Sequence, residues 1–381
     1  MTTPKKTIAQ VSDDDLIEDF ENGLSAREIA EKHGVCIRSV FRRKAKLNGR
    51  ITSEHSGVPG HSIPAGYKLK GVSTMVHAER GEVMTWYKTT QDADAREALF
   101  KEAVKALSDD MPRYKPEPPP SRGNDDLLNL YVITDYHIGM LAWGEETGDD
   151  WDVKIAEELL AKWIGAAIAC SPNSDTAVLC QLGDFLHFDG FDAVTPASGH
   201  LLDSDSRFRK LVRIAIRTLK ACVNMLLKKH SKVHVVIAEG NHDPASSSWL
   251  PETFSIFYEE DSRVTVETRP DPYYCYEFGK TSLFFHHGHK TRPAQLDSVF
   301  AAKFREVFGR TTYSYGHCGH LHHHKSEESR LMIIEQHQTL AAKDAYASRG
   351  GWLSKRGAKV CTYHRNYGYV GDINITPEML K

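Results

Sequence analysis

The chain has 381 residues, with 48 Lys and Arg against 51 Asp and Glu and a formal net charge of −3. That length accommodates two or three domains and a full core in one of them. The near-neutral balance excludes a basic field over the whole protein, so any nucleic-acid surface must be local. Seven scattered cysteines without a C-x-x-C pattern read as free thiols of a reducing compartment rather than a disulfide framework. With no signal-peptide pattern and no apolar run long enough to span a bilayer, the expectation is a soluble cytoplasmic protein with no membrane partner.

Residues 1–50 read as three short helices. In "VSDDDLIEDFENG", Leu16, Ile17 and Phe20 share one face and Gly23 is the stop. In "LSAREIAEKHGV", Ser25 with Glu28 forms a capping box and Gly34 ends the helix. "CIRSVFRRKAKLNGR" carries apolar Ile37, Val40, Phe41 and Leu47 beside basic Arg38, Arg42, Arg43, Lys44 and Lys46. Short helices joined by a glycine turn, with a basic last helix after an acidic first one, make a helix-turn-helix pattern. This segment resembles the helix-turn-helix domains of resolvases and phage regulators. The expected partner is DNA, contacted by the five basic residues just named. A three-helix protein-docking module is the alternative.

Residues 51–110 read as a small α+β connecting module. "GYKLKGVSTMV" and "EVMTWYKTT" are strands around the turn "AERGE", and "DADAREALFKEAVKAL" is a helix. Residues 111–126, "MPRYKPEPPPSRGNDD", combine proline and charge at a density that cannot pack, and read as an extended linker.

From residue 127 to 381 short apolar runs alternate with helical stretches, the pattern of a layered α/β domain. The histidines concentrate here: only His33, His55, His61 and His77 of the 20 lie earlier. Five apolar runs end in polar donors. "LLNLYVITDYHIGM" ends at Asp135 and His137. "TAVLCQLGDFLHFDG" ends at Asp184, with His187 three residues on. "KVHVVIAEGNHDP" ends at Asn241, His242 and Asp243. "TSLFFHHGHK" ends at His286, His287 and His289, and "TTYSYGHCGHLHHH" at His317, His320, His322, His323 and His324. In open α/β sheets ligands sit outside the carboxyl ends of strands. Carboxylate, amide and imidazole without thiolate suit Mn, Fe or Zn. About seven such ligands are enough for two ions, and two ions roughly 3.5–4 Å apart recur where phosphate esters are cleaved.

In this order the motifs D-x-H, G-D, G-N-H-D, H-G-H and G-H-x-H resemble the calcineurin-like metallophosphoesterases over about residues 127–324. The resemblance implies two β-sheets packed face to face with helices outside. It implies one metal on Asp135, His137 and His322, a bridging Asp184, and a second metal on Asn241, His287 and His320. His242 is implied to contact the substrate phosphate and assist the leaving group, a role an imidazole beside a metal centre can fill as general acid. His286 or His289 could stand in for His287. Asp243 is expected to orient a histidine or, alternatively, to cap a helix.

The protein phosphatases of this superfamily carry G-D-x-x-D-R-G. Here "GDFLHFDG" puts His187 in place of that Asp, with no Arg following. "DYHIGM", "GDFLH" and "GNHDP" are instead most similar to the SbcD-type nucleases of double-strand-break repair, in which the His after G-D helps position the DNA phosphate. His187 is thus a catalytic candidate, with a supporting position behind the site as its alternative. The long spacer "DAVTPASGHLLDSDSRFRKL" and the lack of partner-binding helices at the C-terminus depart from that type. In "SRGGWLSKRGAKVCTYHRNYGYVG", Arg349, Lys355, Arg356, Lys359 and Arg365 interleave with aromatics, which reads as a nucleic-acid path or as an ordinary final β-hairpin.

The expected protein is therefore α/β in class (α+β layered): a two-sheet β-sandwich flanked by helices with a small N-terminal three-helix domain. The expected function is a phosphodiesterase, a DNA nuclease with two divalent ions, Mn2+ first and Fe2+, Zn2+ or Mg2+ as alternatives. A phosphomonoesterase or small-nucleotide phosphodiesterase with a docking module is the alternative. A phage or prophage origin in the host cytoplasm fits the architecture, and a dimer is expected if the helix-turn-helix reads a palindrome.

Overall fold

The computed structural model describes residues 11–22, 24, 26–35, 39–40, 43, 67–77, 81–91, 114–120, 123–196, 199–351 and 353–381. The chain divides into two compact units, Met1–Phe100 and Lys101–Lys381.

In the first unit, α1 (Asp13–Glu21) starts at Ser12, whose hydroxyl accepts from the Asp15 amide at 3.0 Å. α2 (Ala26–His33) ends at Gly34, where φ is +65°, a conformation glycine adopts without steric cost. Leu16, Ile29, Val35 and Val40 form a small buried core, with Ile17 and Phe20 packed against it. The basic third segment is described only at Ser39, Val40 and Arg43, all helical. Arg38, Arg42, Lys44 and Lys46 lie outside the described residues, as do the Ser25 cap and the helix expected at 92–107. Arg43 does not stand alone on a basic face: its Nε donates to Asp13 Oδ1 at 2.7 Å. β1 (Tyr67–His77) and β2 (Gly81–Gln91) are the two strands expected from the sequence and pair antiparallel, with register shifts at Leu69/Gly71 and Met75/Val76.

The second unit runs β3 (Asn124–Ile133), α3 (Gly144–Thr147), α4 (Val153–Cys170), β4 (Ser174–Gln181), α5 (Phe208–Leu227), β5 (Lys232–Ile237), α6 (Ser246–Phe257), β6 (Val264–Val266), β7 (Tyr274–Phe278), β8 (Thr281–Phe285), α7 (Pro293–Lys303), α8 (Arg305–Arg310), β9 (Tyr313–Cys318), β10 (Lys325–Glu328), β11 (Ile333–Gln336), α9 (Ala345–Arg349), β12 (Ala358–His364) and β13 (Gly368–Ile375). Tyr114–Pro120, inside the proline-rich stretch, has neither helix nor strand.

Two sheets result. The first has the order β13-β12-β3-β4-β5-β6, and the second β10-β11-β9-β8-β7. β3, β4, β5 and β6 are parallel in the first sheet, as are β8, β9 and β11 in the second. β4 (SDTAVLCQ) is buried at every residue, which is what a parallel strand covered on both faces requires.

The inner faces meet in one core. Leu128, Leu130 and Val132 of β3 and Val178 and Cys180 of β4 pack with Tyr274 of β7 and Leu283 and Phe285 of β8. Outside the first sheet, α4 and α5 pack together. α5 buries Leu211, Ala215, Leu219, Cys222 and Leu226, the three- and four-residue spacing of one helix face. Outside the second sheet, Phe284 and Ile334 pack on Leu296 and Phe300 of α7. This is an α/β fold of two sheets flanked by helices, as expected from the sequence. The six described cysteines are all free thiols. No helix among the described residues is long and apolar enough to cross a membrane.

Candidate metal centre

The polar strand ends converge. Loops after β3, β4, β5, β8 and β9 deliver Asp135, His137, Asp184, Asn241, His242, His287, His320 and His322 to one place. His287 Nε2 lies 3.1 Å from Asp184 Oδ2, 3.2 Å from Asn241 Oδ1 and 3.9 Å from Asp135 Oδ1. His322 Nε2 lies 3.0 Å from Asp135 Oδ1 and 3.5 Å from His137 Nε2. Three overlapping donor groups follow, with all atoms of each within 4.8 Å of one another: Asp135, Asp184, His287 and His320; Asp135, His137 and His322; and His137, His187 and His242. Asp135 belongs to the first two and His137 to the last two.

The backbone is held in uncommon shapes to achieve this. Among the described residues, the non-glycine residues with positive φ are Asp135 (50°), His137 (48°), Asp184 (52°), His320 (72°) and His322 (56°). Each costs about 1–3 kcal/mol, and such strain concentrates at functional sites. All five belong to the ligand set read from the sequence. Gly183, at φ +96°, leaves room for His287: a Cβ there would stand 2.5 Å from His287 Nδ1.

Neighbouring groups fix the donors. Thr134 Oγ1 donates to Asp135 Oδ2 at 2.6 Å, and the His320 amide donates to the same oxygen at 2.9 Å. Asp135 Oδ1 is buried, with His322 Nε2 at 3.0 Å as an ion-pair neighbour but out of line for a hydrogen bond. His287 Nδ1 donates to the Leu182 carbonyl at 2.9 Å, which directs Nε2 at the carboxylates. Asp184 Oδ1 accepts from the His242 amide at 2.8 Å. Asp243 takes neither of its expected parts. It orients no histidine and caps no helix; its carboxylate accepts from the amides of Asp184, Phe185 and Leu186 at 3.1, 2.7 and 3.0 Å and so shapes the loop that carries Asp184.

Electrostatics point the same way. Burial raises Asp135 and Asp184, but adjacent histidines outweigh it, and both carboxyls fall below their ordinary values. Burial lowers His287, but Asp184 and Asp135 outweigh it and push the imidazole up to about 10. His322 is raised in the same way by Asp135. Burial lowers His137 and His320. Ionised, buried carboxylates gather whatever positive charge is at hand, here protons on imidazoles. A buried carboxylate pair, an O/N donor set and closely spaced imidazole nitrogens fit divalent cations.

His187 and His242 form the flank. His242 Nδ1 donates to the His187 carbonyl at 2.8 Å, leaving Nε2 toward the cavity that His242 lines. His187 is 2% exposed, its ring stacks on His242 at 5.5 Å, and its Nδ1 is 3.4 Å from His137 Nδ1. Burial pulls its pKa down to about 3, so it is a neutral ring. Its ring lies against those of His137 and His242.

The remaining motif histidines stand apart. His286 stacks on Tyr273 at 4.4 Å, and His289 Nε2 is 3.7 Å from Glu239 Oε1, so of these three it is His287 whose ring nitrogen enters the donor group. His317 bonds His337 at 2.9 Å and the Tyr363 hydroxyl at 3.0 Å. His324 meets Glu335 at 3.2 Å, and His323 is exposed. Two supporting residues escaped the sequence reading: Thr134, and Thr339, whose hydroxyl donates to the Asp135 carbonyl at 2.7 Å. Thr134 directly precedes D-x-H, but Thr339 is 204 residues away and nothing in the sequence marks it. The C-terminal basic residues are mostly engaged within the fold. Arg349 pairs with Glu146, Arg356 with Asp149 and the Leu340 carbonyl, and Lys359 with Glu335 and Asp372.

No family model matches the sequence, and no curated protein matches it. Solved structures do. An archaeal phosphodiesterase matches at 13% identity over 65% of this chain and 99% of its own, with a TM-score of 0.33. Vacuolar protein sorting 29 from Cryptosporidium parvum matches at 13% identity over 67% of this chain and 100% of its own, with a TM-score of 0.31. A 5′-nucleotidase precursor from Thermus thermophilus matches at 9% identity over 66% of this chain and 55% of its own, with a TM-score of 0.33. Likeness at this level carries no argument about chemistry, which rests on the geometry above.

Proposed function

We propose that this chain is a metal-dependent phosphoesterase that hydrolyses phosphodiesters, with DNA as its substrate and the N-terminal helices as its DNA-targeting module. The observation that carries the chemistry is the convergence of Asp135, His137, Asp184, Asn241, His287, His320 and His322 from five strand ends, with five of them in strained backbone. Asp135, His137 and His322 would hold one divalent ion, and Asn241, His287 and His320 the other, with Asp184 between. Bound ions of this kind polarise a phosphoryl oxygen and lower the pKa of water.

The chain's own contribution is positional. Thr134 and the His320 amide hold Asp135, and the Leu182 carbonyl aims His287. His242 keeps a proton on Nδ1 against the His187 carbonyl, so Nε2 is the atom that donates to the departing oxygen. His187 buttresses this ring. Mn2+ is the ion proposed first, because the donor set contains no thiolate. The DNA reading draws support from the acidic-then-basic N-terminal pattern and from His187 standing where the phosphatase motif has Asp.

The test is hydrolysis by Mn-loaded protein of bis(p-nitrophenyl) phosphate, p-nitrophenyl phosphate and linear DNA side by side. Cleavage of the diester and DNA with little monoesterase activity supports the proposal. Preference for the monoester makes the protein a phosphatase, and no hydrolysis of any of the three overturns the reading.

A further inference from the structure

Beside the donor cluster lies a cavity of about 850 Å³, and one wall of it is the segment from Thr339 to Arg356. That segment lies outside every metal motif, and the chemistry just proposed does not use it. His137, Asp184, Asn241 and His242 form the floor. The wall carries three cations, half-buried Lys343, exposed Lys355 and half-buried Arg356, of which Arg356 is engaged by Asp149 and the Leu340 carbonyl, and one acid, Asp344, which accepts from the Ala347 amide. Three apolar side chains that stand in solvent also line the cavity: Leu321 (50% exposed), Tyr346 (74%) and Leu353 (81%).

A pocket for a lone phosphate group has no use for exposed apolar surface, which marks a binding surface when it clusters beside polar groups. Planar apolar moieties need such surface, and further phosphates need the lysines. The volume lies in the range of pockets that enclose one small ligand, room for a phosphate and a neighbouring base, and a base can stack on a side chain there only when it is unpaired.

Resting on the phosphodiesterase reading, we infer that the 339–356 wall is a strand-recognition subsite for unpaired nucleic acid, in which Tyr346 stacks a base next to the scissile phosphate and Lys343 contacts an adjacent phosphate. Aromatic stacking with neighbouring cations is how single strands are held without sequence preference. Lys355 extends the path outward.

The experiment compares kcat/KM of the Mn-loaded full chain and its Tyr346→Ala, Lys343→Ala and Lys355→Ala variants on four probes: bis(p-nitrophenyl) phosphate, a dinucleotide, a single-stranded octanucleotide and the same octanucleotide in a duplex. The expected parent prefers the single strand and gains from dinucleotide to octanucleotide. Tyr346→Ala lowers kcat/KM on the octanucleotide roughly 5- to 150-fold more than on the small diester. Lys343→Ala flattens the salt dependence of single-strand cleavage by about 0.7 in log–log slope, the value for one lost phosphate contact. Equal losses on the small diester and the octanucleotide would make the wall structural and overturn the inference. So would a parent that cleaves the dinucleotide as well as the octanucleotide, or the duplex as well as the strand, while the phosphodiesterase reading stood. A parent inactive on all four probes would instead remove that reading and this inference with it.

Discussion

Asp243 offers the sharpest test of how the site is built. Its carboxylate is 3% exposed and is the acceptor for three consecutive amides, with Oδ1 taking Asp184 N and Oδ2 taking Phe185 N and Leu186 N. In Asp243→Ala those three donors lose their acceptor at the buried base of the loop that carries Asp184. An unsatisfied buried group costs about 1–3 kcal/mol, so with partial relaxation the loss is about 3–6 kcal/mol. At about 2–4 °C per kcal/mol for a domain somewhat smaller than this one, the melting temperature falls by roughly 6–24 °C. Asp243→Asn keeps one oxygen, which can serve the Phe185 and Leu186 amides and abandon one donor, so its loss is about 1–3 kcal/mol. The ordering Ala worse than Asn is the signature of hydrogen bonding to the loop. The assay is urea and thermal unfolding of the full chain in EDTA, followed by Mn2+ titration of whatever folds. Unchanged midpoints in Asp243→Ala, or equal losses in the two variants, would refute the account of Asp243 as the acceptor that shapes the Asp184 loop.

Other outcomes follow from the same geometry. His242→Ala should lower kcat on a phosphodiester by about 10²–10⁴ with Mn2+ stoichiometry unchanged by calorimetry; loss of metal binding would instead make His242 a ligand. Gly183→Ala combines a φ of +96° with a Cβ 2.5 Å from His287 Nδ1, so Mn2+ affinity and activity should both collapse, and parental Mn2+ affinity in a folded variant would contradict this. Glu335 gives a pH signature away from the ligands. Burial raises it, but His337, His317 and Lys359 outweigh that and bring its pKa to about 2. A depressed carboxyl stabilises the fold above its unfolded value near 4.5 and loses that contribution as pH falls toward 2. The amount is about 3 kcal/mol by linkage. Unfolding midpoints in EDTA between about pH 6 and pH 3 should therefore fall more steeply for the parent than for Glu335→Gln, and parallel curves would sink the point.

The sequence alone carried the fold class and the strand-end carboxylates, amide and imidazoles that the fold gathers, because both are local signals. A short run with an apolar centre such as "TAVLCQ" is consistent with a strand buried on both faces, and a strand that stops at Gly-Asp or Gly-Asn-His turns out of its sheet at the end where ligands sit. The end of α2 was legible for the same reason: Gly34 acts within one turn of chain, whereas Ser12, which caps α1, was not singled out. What the sequence left open was every choice between near neighbours. His286, His287 and His289 differ by one or two positions, and the pleat of β8 and the turn after it decide that His287 reaches Asp184 while His286 stacks on Tyr273. Asp243 and His187 follow Asn241 and Asp184 closely in sequence, yet one serves loop amides and the other packs against two imidazoles. Thr339, Lys343 and Tyr346 meet the site only because the chain returns past β11 to form its wall. Burial, register and the return of distant segments are properties of the packed sheets, and no short stretch of sequence contains them.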